Sequence, residues 1–288
     1  MTARASSVPA GTSQSGATSA PVAAASDPVF LGAGDVASCS SSGDTATARL
    51  AAAIPGTVFT AGDNAYDRGS AGQFANCYDP TWGRVKSRTR PTPGNHDYGT
   101  TNASGYFGYF GSRAGTNGRG YYAYSLGQWR IYALNSNCSF VSCSSTSAQV
   151  RWLKSDLAAN PRKCVLAYWH HPLFSSGRHG NDAAVKPFWN VLYAAHADVV
   201  VNGHDHDYER FARQSPSGVR TARGVREFVV GTGGASHRVW GTFKRNSLAR
   251  NNTTYGVLKL ALHATSYSWR FVPVAGKTYT DSGTTTCG

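Results

Sequence analysis

No stretch of this 288-residue chain is apolar over the roughly 20 residues that a membrane-spanning helix needs, so no span is expected. The glycine pattern of a dinucleotide-binding turn is missing as well, because Gly32-Ala33-Gly34 runs straight into Asp35 with nothing like a third glycine. No cysteine pair has the short spacing of a structural zinc site, and no aromatic-interleaved basic stripe marks a nucleic-acid binder. Acidic residues are scarce: 15 Asp plus Glu face 28 Lys plus Arg, for a formal net charge of +13. That balance favours an anionic partner, whether a phosphorylated substrate, a cell surface or nucleic acid. Without a nucleic-acid signature beside it, a small phosphorylated substrate is expected and an obligate nucleic-acid partner is not. No internal repeat is found. Residues 1–26, rich in Ala, Ser, Thr, Gly and Pro, lack an apolar core of signal-peptide length. They read as a disordered or processed lead, with any secretion signal outside this sequence.

The length allows a full core, and the polar clusters described below are spread from Asp35 to His206, too far apart for a small module. One catalytic domain over 27–288 is the simpler reading, with a monomer favoured. The cysteines Cys39, Cys77, Cys138, Cys143, Cys164 and Cys287 read as disulfides of a secreted, extracellular protein. Cys138 and Cys143 lie in a Ser-rich loop and are the pair favoured to close locally; the rest of the connectivity stays open.

Periodicity predicts a strand over 27–34, a helix over 46–54 stopped by Pro55-Gly56, and a strand over 57–61. A broken helix over 73–85 and a short strand near 89–92 follow, then a Gly- and aromatic-rich loop over 100–120 whose Tyr106, Phe107, Tyr109 and Phe110 are expected to pack. Tyr121–Leu126 and Trp129–Leu134 read as a hairpin, and 146–159 as a helix capped by Ser147. A strand over 163–169, a helix over 183–195 and a strand over 197–201 complete this part. Beyond it, strands at Phe228–Val230, Val257–Leu262 and Tyr267–Val272 are joined by turns. Helices between strands thus give way to hairpins, which predicts an α/β chain of two mixed sheets with helices outside.

Five apolar runs or turns end in Asp, Asn or His: Gly34-Asp35, Gly62-Asp63, Gly94-Asn95-His96, Trp169-His170-His171 and Gly203-His204-Asp205-His206. A parallel sheet brings such strand ends to one edge. Two histidines flanking one aspartate are equally compatible with a metal site and a polar loop; the recurrence favours the metal. Imidazole, carboxylate and amide oxygens suit borderline or harder cations. Two adjacent cations joined by a bridging carboxylate would share a hydroxide nucleophile and stabilise an in-line phosphoryl displacement, which points to hydrolysis of a phosphate ester.

This ordered set resembles the calcineurin-like metallophosphoesterase superfamily, and Tyr66, three residues after Asp63, resembles its purple acid phosphatase branch in single-domain, secreted bacterial form. The resemblance implies a four-layer α-β-β-α sandwich and a binuclear hydrolase of phosphate monoesters. It implies Fe(III) at Asp35, Asp63, Tyr66 and His206, and Fe(II), Zn or Mn at Asp63, Asn95, His170 and His204. His96 would contact the phosphate or protonate the leaving group; His179 and Arg178 are further substrate-facing candidates, with Asn95 both ligand and substrate contact. His171 is left to support or packing, Tyr208, Glu209 and Arg210 to structure, and His196, His237 and His263 have no motif around them. The amino-terminal β-domain of plant-type members is not expected before Phe30, so a catalytic domain alone is expected. The alternatives are a phosphodiesterase acting on cyclic nucleotides or phospholipid headgroups and, at greater distance, a non-enzymatic phosphate-binding surface protein.

Overall fold

The computed structural model describes residues 1–5, 27–116 and 118–288. Most of the expected lead, 6–26, therefore lies outside the described residues. None of the described helices is long and apolar enough to cross a membrane.

Strand β1 (Val29–Ala33), helix α1 (Gly43–Ala53) and strand β2 (Thr57–Ala61) form the opening β-α-β unit. A short α2 (Ala71–Gln73) runs on into π and 3-10 turns before β3 (Thr89–Thr92), so the broken helix expected over 73–85 is irregular throughout. Pro91 cannot donate to a ladder, and β3 accordingly lies at a sheet edge. The loop expected over 100–120 is corrected in part: α3 (Ser104–Phe110) forms there. Its glycines weaken the helical signal, but Tyr106 and Phe110, one turn apart, are both buried, and Phe110 meets the Phe74 ring edge-on at 5.7 Å. The aromatics of this stretch pack, as anticipated.

Strands β4 (Tyr122–Leu126) and β5 (Trp129–Ala133) pair as the predicted hairpin. In α4 (Ala148–Ala159) the Ser147 side chain accepts from the Val150 amide, the expected cap. Strand β6 (Cys164–Tyr168), α5 (Lys186–Ala194) and β7 (Val199–Asn202) follow. Next come β8 (Tyr208–Phe211), β9 (Arg226–Val230), β10 (Ser247–Asn251), β11 (Gly256–Leu262), β12 (Ser266–Pro273) and β13 (Ser282–Thr286). Strands β8, β10 and β13 have no apolar run of their own and were not anticipated; neighbouring strands supply their pairing.

One sheet has the order β13-β12-β11-β1-β2-β3 and the other β10-β8-β9-β7-β6-β5-β4. Parallel pairing runs through β1, β2 and β3 in the first and through β5, β6, β7 and β9 in the second. Side-chain alternation fills two cores: Leu166, Tyr168, Val199 and Val201 face Phe30 and Phe59 between the sheets, whereas Val165, Ala167 and Val200 pack outward against Leu153, Phe188 and Leu192 of α4 and α5. The result is two mixed sheets flanked by helices, the four-layer arrangement expected.

Three disulfides staple it: Cys39–Cys77, Cys138–Cys143 and Cys164–Cys287. The favoured local pair forms, and the other two join segments that only the fold makes neighbours.

Candidate metal centre

The parallel strands of both sheets deliver their carboxyl ends to one place. Asp35 follows β1, Asp63 follows β2, Asn95 and His96 follow β3, His170 follows β6, and His204 and His206 follow β7. Asp35, Asp63 and His204 have φ of 58°, 49° and 74°, left-handed values that non-glycine residues adopt at a cost. Strain of this kind is retained where side-chain direction matters more than local comfort.

The Tyr66 hydroxyl lies 2.8 Å from Asp35 Oδ1, 3.0 Å from Asp63 Oδ2 and 3.2 Å from His206 Nε2. On the other side of the same carboxylate, His170 Nε2 lies 3.2 Å from Asp63 Oδ2, 3.1 Å from Asn95 Oδ1 and 3.2 Å from His204 Nδ1. Asp63 Oδ2 is thus common to two donor clusters. All seven residues proposed to hold metal from the motifs are brought together.

The donor set fits cations. Burial alone would raise the Asp63 carboxyl, but His170, with His96 and His204 behind it, outweighs that and holds it far below the usual range. Burial alone would likewise lower His170; the Asp63 carboxylate reverses this and raises it to about 9. Burial and the neighbouring His170 push His204 well down. Imidazoles crowded nitrogen to nitrogen against two carboxylates form a site that one proton fills poorly and cations fill well. Cys164, Asp198 and Cys287 also converge, but the two sulfurs are joined in a disulfide and offer no thiolate.

The supports for these side chains come from less conspicuous residues. Asp97 accepts from the amides of Asn64 and Gly94, and so clamps the turn that carries Asp63 to the one that carries Asn95. Asp205 takes the amide of His179 at 2.8 Å and the Ser175 hydroxyl. Ser236 Oγ, on the loop after β9, sits 2.6 Å from His206 Nδ1. No motif marks that loop; burial, helped by the charge of its Arg238 and opposed by Asp205, holds His179 below the ordinary imidazole range.

His96 is partly exposed, its ring 4.4 Å from that of Tyr66 and its Nδ1 2.5 Å from the Asp67 carbonyl. A carbonyl only accepts, so Nδ1 carries a proton and Nε2, 3.9 Å from Asp63 Oδ2, is the atom free to exchange one. His179 and Arg178 are exposed; the His179 ring stands 4.4 Å from that of His204. His171 lies closer to the centre than a packing residue need be, 4.5 Å ring to ring from His204, with Nδ1 2.8 Å from Ser136 Oγ. Tyr208, Glu209 and Arg210 are structural: Tyr208 and Arg210 bond Asp281, and Glu209 takes the Ser176 amide. His237 stacks on Tyr255 at 4.0 Å, and His263 pairs with Asp27.

The profile of the family described as calcineurin-like phosphoesterase matches residues 27–208. Among curated proteins, the chain is 29% identical over 151 residues to Purple acid phosphatase 15 of Arabidopsis thaliana, a match covering 46% of this chain and 28% of that protein. It is 28% identical over 166 residues to Probable purple acid phosphatase 20 of the same plant, covering 49% and 38%. The match therefore spans well under half the length of these relatives. Among solved structures, purple acid phosphatase PPD1 from yellow lupin (Lupinus luteus) seeds superposes with a TM-score of 0.75 at 18% identity, over 91% of this chain and 54% of that one. GAP50, the anchor in the inner membrane complex of Plasmodium, superposes with a TM-score of 0.68 at 15% identity, over 89% and 88%. At these identities the structural likeness concerns the fold.

Proposed function

Because this chain belongs to the calcineurin-like phosphoesterase family, we propose that it is a metal-dependent phosphatase that hydrolyses small phosphate monoesters outside the cell. In this reading the chain is a binuclear metal-binding hydrolase of that superfamily that prefers monoesters and acts after secretion. The observation that carries it is Asp63 Oδ2, within 3.0 Å of Tyr66 Oη and 3.2 Å of His170 Nε2, one carboxylate oxygen joining two donor clusters.

Asp35, Tyr66, His206 and Asp63 would then hold Fe(III), and Asn95, His170, His204 and Asp63 would hold Fe(II), Zn or Mn. Bound there, the two cations supply Lewis-acid charge and lower the pKa of water. The protein's own groups then position the ester. Asn95 and Arg178 orient phosphate oxygens, and His96, its Nδ1 proton tied to Asp67, offers Nε2 to the leaving oxygen. His179, beside His204, is the alternative proton donor.

The test is His96→Ala. Metal content should be unchanged while kcat falls about 10²–10⁴-fold, and the loss should be larger on an alkyl than on an aryl phosphate, because the poorer leaving group depends more on a proton. Equal losses would assign His96 to phosphate positioning. A wild-type kcat/KM higher on a diester than on its matched monoester would replace this reading with the phosphodiesterase. GAP50, an anchor, has the same fold, and a fold does not carry a function by itself; the donors converging at Asp35, Asp63, His170 and His204 favour catalysis here.

A second test concerns Tyr66. Burial and the two carboxylates keep its phenol protonated in the absence of a cation. If Tyr66 binds Fe(III) as a phenolate, the iron-loaded protein should absorb visible light and Tyr66→Phe should lose that band. A band that persists in the variant would remove Tyr66 from the ligand set.

A further inference from the structure

We infer that a cleft on the edge of the second sheet opposite the metal centre binds an amphiphilic anion, a small molecule with a phosphate-like head and an alkyl or aryl tail. Strands β6, β7 and β9 run parallel, so the ends at which they begin lie away from the ends that carry His170, His204 and His206. Two cavities adjoin at those starting ends. The first, about 520 Å³, is a groove between α4 and α5 walled by Leu157, Val165, Val191 and Ala194. The second, about 530 Å³, is a basin edged by Arg162, Lys163, Arg213 and Arg223. They share Arg162 and Ala195 in their linings, so an apolar slot lies beside a cationic one.

The basin is braced. Arg213 donates to the Ala222 carbonyl at 3.1 Å and the Thr286 carbonyl at 2.7 Å, and lies 3.4 Å from Asp198 Oδ1. Asp198 is buried and occupied by the Val165 and Gly288 amides. Arg162, Lys163 and Arg223 are exposed. Four cationic side chains, Arg162, Lys163, Arg213 and Arg223, line the basin against the single carboxylate of Asp198, which leaves positive charge in excess. Bare phosphate would leave the groove in water, and a neutral hydrocarbon would leave the cations without a counter-charge. A ligand that joins the two halves uses both.

Calorimetric titration of the metal-loaded protein with octylphosphonate tests this, since its P–C bond is not a phosphoester. Two sites per chain are expected, one at the metals and one in the cleft. The double variant K163E/R223E should weaken the second site at least tenfold while hydrolysing an aryl phosphate at the wild-type rate, which also shows that it is folded. Across ethyl-, butyl- and octylphosphonate, affinity at the second site should rise roughly two- to fourfold per methylene entering the groove. The absence of any wild-type binding event that K163E/R223E weakens, or affinity at that site independent of chain length, would overturn the inference; a single event that the variant does weaken would keep the cleft and remove only the metal centre as a phosphonate site.

Discussion

At the scale of single residues, the centre is organised by what each side chain's second polar atom is bound to. His206 presents Nε2 to Tyr66 and Asp35 because Ser236 Oγ occupies its Nδ1, and His170 presents Nε2 because the Ala61 carbonyl sits 2.8 Å from its Nδ1. Fixing one ring nitrogen sets the tautomer and aims the other. The Ala61 carbonyl cannot be removed by mutation, but Ser236 can. Ser236→Ala should weaken metal retention about 10–100-fold with the fold intact, measured by competition with a chelator. Retention equal to wild type would show that His206 is aimed by packing alone. This serine was not legible in the sequence, since nothing in Gly231–Trp240 resembles a ligand motif and its nearness to His206 is a property of where β9 ends.

Elements place the site through backbone approach as much as through side chains. At Gly94 an added Cβ would lie 2.1 Å from Asp63 Oδ1, so the turn after β3 can close on the turn after β2 only without a side chain. Gly108, inside α3, has nothing within 4 Å of the same atom. Gly94→Ala should therefore displace Asp63 and strip metal from the protein. Gly108→Ala should leave metal content alone and raise stability by up to about 1 kcal/mol through helix propensity. Metal analysis and thermal denaturation of the pair distinguish the two; full metal occupancy in Gly94→Ala would show that the two turns can separate without loss of the site.

For the whole molecule, the disulfides rank by the loops they close. Cys164–Cys287 spans 123 residues, Cys39–Cys77 spans 38 and Cys138–Cys143 spans 5. In the chain-entropy account these contribute about 5, 4 and 2 kcal/mol in that order. Replacing both cysteines of a pair by serine should lower Tm most for the first and least for the last. An inverted order would mean that effects on the folded state, not on the unfolded chain, dominate. The first bridge also ties β6 to the segment after β13, so it couples the second sheet to the far edge of the first.

Much of this was legible in the sequence, because the signals are local. An apolar run closed by Gly-Asp or His-His marks a buried parallel strand and the residue at its end, and Val150, Leu153 and Leu157 mark α4 by their spacing. That was enough to put Asp35, Asp63, Asn95, His170, His204 and His206 at one sheet edge and to expect two mixed sheets with helices outside, while the ligand roles and the four-layer order came from the family resemblance and the Cys138–Cys143 bridge from its short loop. What depends on distant segments meeting was not legible. Strand β13, Ser-Gly-Thr-Thr-Thr, has no apolar pattern and exists only because β12 offers it an edge. Asp97, Asp205 and Ser236 became supports only once the fold set them against turns and rings from other strands. The neighbouring groove and basin at the opposite edge likewise draw on residues from 154 to 288. The physical reason is the same throughout: strand and helix periodicity act over a few residues, whereas a hydrogen bond or cavity wall formed across the sheets is set by strand order and register, which only the packed chain decides.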